Sequence, residues 1–334
     1  MVNQKGTGVR AKEDLGFKRL GVLAIYSLSD IEVKAAKLKE VAKDVGLHGS
    51  FLPPELREID AFRRATGEIG DRKRTDRQEP IVIREIGNDT DSVIRILEKR
   101  MAVGTASGDI KKGDKATLDY QHIGTMVFDK KTGHLDLIPL DKSAAPIMGE
   151  ARDRYKKYCE YYGIAHIRRM VQTAFEKCFG VNYRRNGGAS FIPNAYADSM
   201  ELVADLLKRL PGDCELDIIQ VVDTEGHRED IKAKLEAHVT DAMADIARDL
   251  GVSKDALNAR LSLRGMVEEL SQLSKSNVDV GKRAVQTALD KFAGIKETIG
   301  QYKILLECNM ETVDSEMDIA KKQLAKIMTK IDEE

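Results

Sequence analysis

An apolar seam near the C-terminus constrains this chain more than any other feature. Val285, Ala288, Phe292, Ile295, Ile299, Tyr302 and Leu306 recur at alternating steps of three and four. Met310, Val313, Met317, Ala320, Leu324, Ile327 and Ile331 continue the series. That spacing puts one apolar stripe along a helix, in the manner of a coiled coil. Two successive steps of four, Tyr302 to Leu306 and Leu306 to Met310, form a stutter that relaxes a left-handed supercoil. An unbroken helix over 278–331 would be roughly 80 Å long at about 1.5 Å per residue. Gly281, Gly294 and Gly300 lie within it and weaken the case for one rod. Such a stripe needs a partner. Either residues 225–275 fold back over it, or a second copy of the chain does; the expectation is a homo-oligomer joined through these helices.

The rest of the chain alternates between strand and helix patterns. Residues 1–14 are polar and read as a tail. "FKRLGVLAIYS" (17–27) reads as a strand. Ser29 and Glu32 have capping-box spacing, which predicts a helix from that point to Gly46. A short helix over 55–66 should end at Gly67. Two hairpins follow, one turning at Gly87–Asp91 and one at Asp129–Gly133, giving an antiparallel sheet of about four strands. Residues 147–162 and 164–179 read as helices, 182–194 as a hairpin, 195–209 as a helix capped by Asn194, and 215–222 as a strand. Helices over 225–250 and 254–275 precede the seam. The expected fold is α+β: an N-terminal sheet-and-helix unit (15–145), a second unit (146–223) and a long helical region (224–334).

With 334 residues, 42% hydrophobic, 33% charged and a net charge of -1, the chain is neither disordered nor a general polyanion coat. Cys159, Cys178, Cys214 and Cys308 form no C-x-x-C pair, so neither a zinc knuckle nor a disulfide framework is expected. No apolar run approaches the roughly 20 residues that cross a bilayer. These features predict a cytoplasmic protein with no membrane association.

Charge is concentrated in one place. Between 150 and 186, nine lysines and arginines face four acids. Arg168 and Arg169, with Lys156 and Lys157, fall on predicted helices; Arg184 and Arg185 flank the turn Asn186-Gly187-Gly188. The order helix, helix, hairpin resembles a winged helix, in which the wing touches phosphate. The arginine fork suits phosphate oxygens. DNA or RNA is therefore the expected partner, and these residues are the candidate contacts. The plain alternative is a solvated helix face beside a tight turn.

Other constellations have plainer readings. No G-x-x-x-x-G-K-[ST] or G-x-G-x-x-G occurs, so no cofactor is expected. Asp223, Glu225 and His227 follow a predicted strand, where a metal or general base would be well placed; capping of the next helix by Asp223 or Thr224, with acids in its first turn, is the better reading. His122, His134 and Asp136 have zinc-ligand chemistry but lack a fourth ligand. No set assembles a nucleophile, a base and a metal, so a binding or scaffold protein is expected. The alternatives are a metal-dependent nuclease acting near Asp223 and an inhibitor that binds a host protein.

Two stretches carry a resemblance. Ala61 to Thr66 (AFRRAT), and Arg184, Gly187, Gly188, Phe191, Ile192 and Pro193 (R-x-x-G-G-x-x-F-[VI]-P), resemble the motifs of an uncharacterised family carried by phages and mobile elements. The resemblance spans roughly 50–222. It departs at Arg185, where proline is usual, and at Ala189-Ser190, where larger β-formers are usual. It implies a phage or mobile-element origin and no activity. Phe191 and Ile192 point to opposite faces of their strand, so one of them suffices for a core.

Overall fold

The computed structural model describes residues 18–75, 81–102, 118–184, 188–253, 262–275 and 281–333. The protein is α+β. In chain order the strands are β1 (Arg19–Leu28), β2 (Glu32–Lys34), β3 (Ile81–Asn88), β4 (Ser92–Ala102), β5 (Leu118–Asp129), β6 (Leu135–Pro139), β7 (Tyr161–Gly163), β8 (Val181–Asn182), β9 (Ala189–Pro193) and β10 (Cys214–Val222). The helices are α1 (Ala35–Asp44), α2 (Glu58–Thr75), α3 (Ala144–Glu160), α4 (Ile164–Lys177), α5 (Ala197–Arg209), α6 (Glu225–Asp249), α7 (Leu263–Lys275), α8 (Lys282–Leu306) and α9 (Glu311–Glu333). They form two compact units built from interleaved segments. One comprises 1–29, 42–51 and 168–334; the other comprises 30–41 and 52–167. No described helix is long and apolar enough to cross a membrane.

In the unit of 30–41 and 52–167, the two predicted hairpins join into an antiparallel sheet of order β3-β4-β5-β6. One face is covered by α2 and α3. Phe62, Ala65 and Ile69 from α2 meet Val93, Leu97, Met126 and Phe128 from the sheet, with Met148 and Ala151 from α3. The Phe62 and Phe128 rings stack with centroids 5.4 Å apart. Helix α2 does not end at Gly67 but runs on to Thr75. Ile69, fully buried beyond the glycine, explains the difference: burying that side chain is worth about 2 kcal/mol, against about 1 kcal/mol for a helical glycine. The capping box at Ser29 does not form either. Glu32 lies in β2, paired with β7, and Ser29 Oγ instead accepts a hydrogen bond from the Asp213 amide at 3.0 Å. The helix begins only at Ala35, after the residues paired with β7.

The unit of 1–29, 42–51 and 168–334 contains the second antiparallel sheet, of order β10-β1-β9-β8. Strand β1 lies in its interior, between two strands that follow it by more than a hundred residues. All five residues of β9 are buried. Both Phe191 and Ile192 therefore enter a core, 1% and 0% exposed. At β9 the sheet is covered on both faces, which the alternation argument did not anticipate. Phe191 belongs to the cluster formed by the C-terminal helices. Ile192 lies on the opposite face, where Val22, Ala24 and Leu216 are also buried. Gly21 makes room for this packing: a Cβ there would stand 2.6 Å from the Phe191 ring and 2.2 Å from the Ile192 carbonyl oxygen.

The C-terminal seam does not form a rod. Helix α8 ends at Leu306, and Glu307 takes the left-handed conformation (φ 50°, ψ 36°). The chain turns and α9 folds back against α8. Helices α6, α8, α9 and α7 form a ring in which each packs on two others. The seam residues fill the middle of this ring together with Ile231, Leu235, Val239 and Met243 of α6 and Met266, Val267 and Leu270 of α7. The chain thus covers its own stripe. The stutter at Leu306–Met310 marks the turn, and the apolar spacing that suggested a second copy is satisfied within one chain. Gly294 and Gly300 remain helical inside α8.

Candidate functional site

The predicted basic surface is divided between the two units. Lys156 and Lys157 are exposed on α3, and Lys157 Nζ is bound to Glu32 at 2.6 Å. Arg168 and Arg169 are exposed on α4, and Arg169 is bound to Glu176 at 3.2 Å. Arg184 is exposed just after β8. Among the described residues, Arg168, Arg184 and Lys156 have no carboxylate partner. Arg185, Asn186 and Gly187 lie outside the described residues. Gly188 has φ +80°, a region that suits glycine, and its carbonyl accepts the Tyr26 amide at 2.9 Å. The turn is therefore tied to β1. The strand that follows it, β9, is interior to the sheet. The Tyr183 hydroxyl donates to Asp230, and Lys234 sits 5.1 Å from the Tyr183 ring centroid, which places the start of this loop beside α6.

Arg154, another cation of the 150–186 run, is structural. Arg154 donates to Glu68 at 2.9 Å and pairs with Glu150 at 3.1 Å. Arg64 donates to Glu68 at 2.9 Å and lies 4.0 Å from the Tyr158 ring centroid. The Tyr158 hydroxyl also donates to Glu68. Partial burial pushes the Glu68 carboxyl up, but Tyr158, Arg64 and Arg154 together hold it below the usual carboxylate range. This cluster joins α2 to α3, and sequence reasoning missed it. Its only local signal is the pair of i,i+4 spacings, Arg64 with Glu68 and Glu150 with Arg154.

The AFRRAT segment proves to be a docking surface for α2 on its sheet. Ala61, Phe62, Ala65 and Thr66 face inward, each 5% exposed or less. Thr66 Oγ1 donates to the Phe62 carbonyl at 2.7 Å and accepts from Arg95 of β4 at 2.5 Å. Arg63 and Arg95 both bind Glu85 of β3 at 3.0 Å. Phe62 is core, and the arginines bridge to neighbouring elements.

Asp223 is locked. Arg228 grips both its oxygens, at 2.6 and 2.9 Å, and reaches on to the Leu306 carbonyl at 3.0 Å and Glu307 at 3.2 Å. Lys18 completes the group, 3.6 Å from Asp223 and 3.4 Å from Glu307. The hydrogen bonds from Arg228 hold the Asp223 carboxyl below its ordinary range. This arrangement fastens the end of α8 to the start of α6. Thr224 caps α6 by accepting from the His227 amide, and His227 Nδ1 bonds the Val222 carbonyl at 2.8 Å. Of the two capping candidates, Thr224 is the one that caps α6.

His122 Nε2 bonds Gly124 O and Thr125 Oγ1, each at 3.0 Å, whereas His134 pairs with Asp136 at 3.0 Å. The three are not brought together as a ligand set, and no metal-competent group of three occurs among the described residues. Asp89 accepts the Asp91 and Ser92 amides at 2.8 and 2.6 Å, which makes 87–91 the turn its sequence predicted.

No curated protein and no solved structure matches the chain. A family described as "Family of unknown function (DUF6744)" matches residues 19–260, which takes in all ten described strands and α6 and stops short of α7, α8 and α9. The chain belongs to that family.

Proposed function

We propose that the chain is a non-enzymatic binding or scaffold protein of a phage or mobile element, and that it contacts nucleic acid through α4 and the β8–β9 turn. The observation that carries this reading is the state of the exposed cations. Arg168 and Arg184 have no carboxylate partner among the described residues, whereas Arg63, Arg64, Arg95, Arg154 and Arg228 are engaged in ion pairs that hold elements together. A solvated, unpaired arginine keeps its donors available for phosphate oxygens. The phage or mobile-element setting rests on the motif resemblance alone. Against the nuclease alternative stands the engagement of Asp223: a carboxylate gripped at both oxygens by an arginine is poorly placed to ligate a metal or take a proton.

The test is fluorescence anisotropy with labelled double-stranded DNA, single-stranded DNA and RNA across a salt series, beside incubations with magnesium, manganese or zinc. The reading expects salt-sensitive binding without strand cleavage. Metal-dependent cleavage that Asp223→Ala abolishes would overturn it in favour of the nuclease.

A further inference from the structure

The sheets of this protein end in strands of very unequal exposure to pairing. A free strand edge offers unpaired N–H and C=O groups, and proteins commonly blunt it by shortness, proline, a bulge or a covering element. Strand β8 is two residues long and lies against α6. Strand β6 is five residues long and ends in Pro139. Strand β3 is interrupted by a register shift between Glu85 and Gly87 and packs against α2. Strand β10 packs one face against α5, but it is neither short nor interrupted by a bulge of its own, and no described strand covers its outer edge. It runs nine residues, CELDIIQVV, with no proline, glycine or lysine.

The hydrogen-bond phase of β10 follows from its flanks. The Ser29 amide bonds Asp213 O, and the Asp223 amide bonds Lys18 O, so odd-numbered positions of β10 turn toward β1. Tyr26, opposite Leu216, turns its amide the other way, to Gly188. In an antiparallel ladder successive residues alternate in direction. Leu216, Ile218, Gln220 and Val222 therefore point their backbone groups outward. The Val222 carbonyl is taken by His227. Among the described residues, no hydrogen bond reaches the outward groups of Leu216, Ile218 or Gln220.

The side chains beside this edge define what fits it. Glu215, Asp217 and Ile219 share one face and are exposed, Ile219 by 52%. Neither carboxylate has a cation within ion-pairing distance among the described residues. We propose that the outer edge of β10 is a docking site for an extended segment of a partner protein, added as a further strand, with lysine or arginine at alternate positions facing Glu215 and Asp217 and an apolar residue near Ile219. Main-chain bonds to Leu216, Ile218 and Gln220 supply the pairing, and the two acids select for positive charge. The same acids disfavour a polyanion here, so this surface is distinct from the nucleic-acid contact proposed above.

The probe is a labelled peptide of about ten residues alternating lysine and valine, with a glutamate–valine peptide as control, titrated by anisotropy into the full chain at about 0.15 M salt. Gln220→Pro removes one outward N–H at an exposed position, a substitution an edge strand tolerates. Glu215→Lys with Asp217→Lys reverses the charge without touching the backbone. The lysine peptide should bind the wild type. Gln220→Pro should abolish that binding, and the charge-reversed pair should weaken it by about tenfold and favour the glutamate peptide. Should Gln220→Pro lower the melting temperature, the charge-reversed pair is the deciding variant. Equal binding of both peptides, unchanged preference after charge reversal, or no binding by the wild type would overturn the proposal. So would light scattering that shows a dimer broken by Gln220→Pro, because the occupant would then be a second copy.

Discussion

At the scale of single residues, the chain uses its charges mainly as fasteners. Arg228 binds Asp223, Glu307 and the last carbonyl of α8 at once, so one guanidinium sets three groups. Its hydrogen bonds lower the Asp223 carboxyl, and those of Arg228 and Lys18 lower that of Glu307. A carboxylate depressed in the folded state stabilises above its unfolded value and loses that contribution as pH falls through the folded one. Melting temperature should therefore hold from neutrality down to about pH 4 and fall below it. Asp223→Asn should melt lower than wild type at pH 7, and the gap should narrow in acid, where the wild-type carboxylate is itself protonated. A gap that stays constant from pH 7 to the acid limit would show that the fastener is not ionic. None of this was legible in the sequence. Asp223 read best as a helix cap, because the spacing to Arg228 carries no helical signal and the other members of the group, Lys18 and Glu307, are far away along the chain.

At the scale of elements, local patterns predicted most helices and strands, and failed where tertiary packing won. The seam periodicity was right over both α8 and α9, and its stutter coincides with the turn between them, but a stutter signals a relaxed supercoil and not a chain reversal. The sequence Leu306-Glu-Cys-Asn-Met310 contains neither glycine nor proline, and the turn is made by a glutamate at positive φ. The glycines rightly weakened the case for one rod, but Gly294 and Gly300 do not mark where it breaks. Nothing lies within 4 Å of a Cβ built on Gly294, and its backbone is helical. Gly294→Ala should stabilise the protein by about 0.5–1 kcal/mol, by removing the entropy cost of a helical glycine. Gly21→Ala should do the opposite, since its Cβ would collide with the Ile192 carbonyl and the Phe191 ring. Thermal denaturation of the two variants checks the pair of signs: a stabilised Gly21→Ala would mean that Phe191 does not sit where β1 requires a glycine. The motif residues Phe191 and Ile192 owe their burial to the same packing. Tyr302 of α8 donates to the Phe179 and Phe191 carbonyls at 2.9 and 3.2 Å, which ties the helical ring to the sheet.

At the scale of the molecule, the α+β class and the four-stranded β3–β6 sheet were readable because their contacts are local in sequence. The β10-β1-β9-β8 sheet was not. Its pairings join residues such as Tyr26 and Leu216, and no short-range signal marks them. The covered seam also changes what truncation should do. A chain ending at residue 280 lacks α8 and α9 and so exposes the inner faces of α6 and α7, including Leu235, Val239 and Leu270. Light scattering and a hydrophobic dye should report a self-associating, dye-binding species, not a compact monomer. A well-folded monomer from that truncation would mean that the ring of helices contributes little to the unit. The candidate contacts were legible as a cluster of charge, but the sequence did not reveal which cations are spent on fastening. That distinction leaves Arg168 and Arg184 as the residues on which the functional account turns. The most direct measurement is the salt dependence of nucleic-acid affinity for the wild type and for Arg168→Ala with Arg184→Ala. Exposed substitutions of this kind should change stability by less than about 0.5 kcal/mol each. The account predicts weaker binding by the double variant, with a log–log salt slope shallower by about two counterions. Equal affinity and equal slope for the two proteins, or no binding by either at low salt, would contradict it.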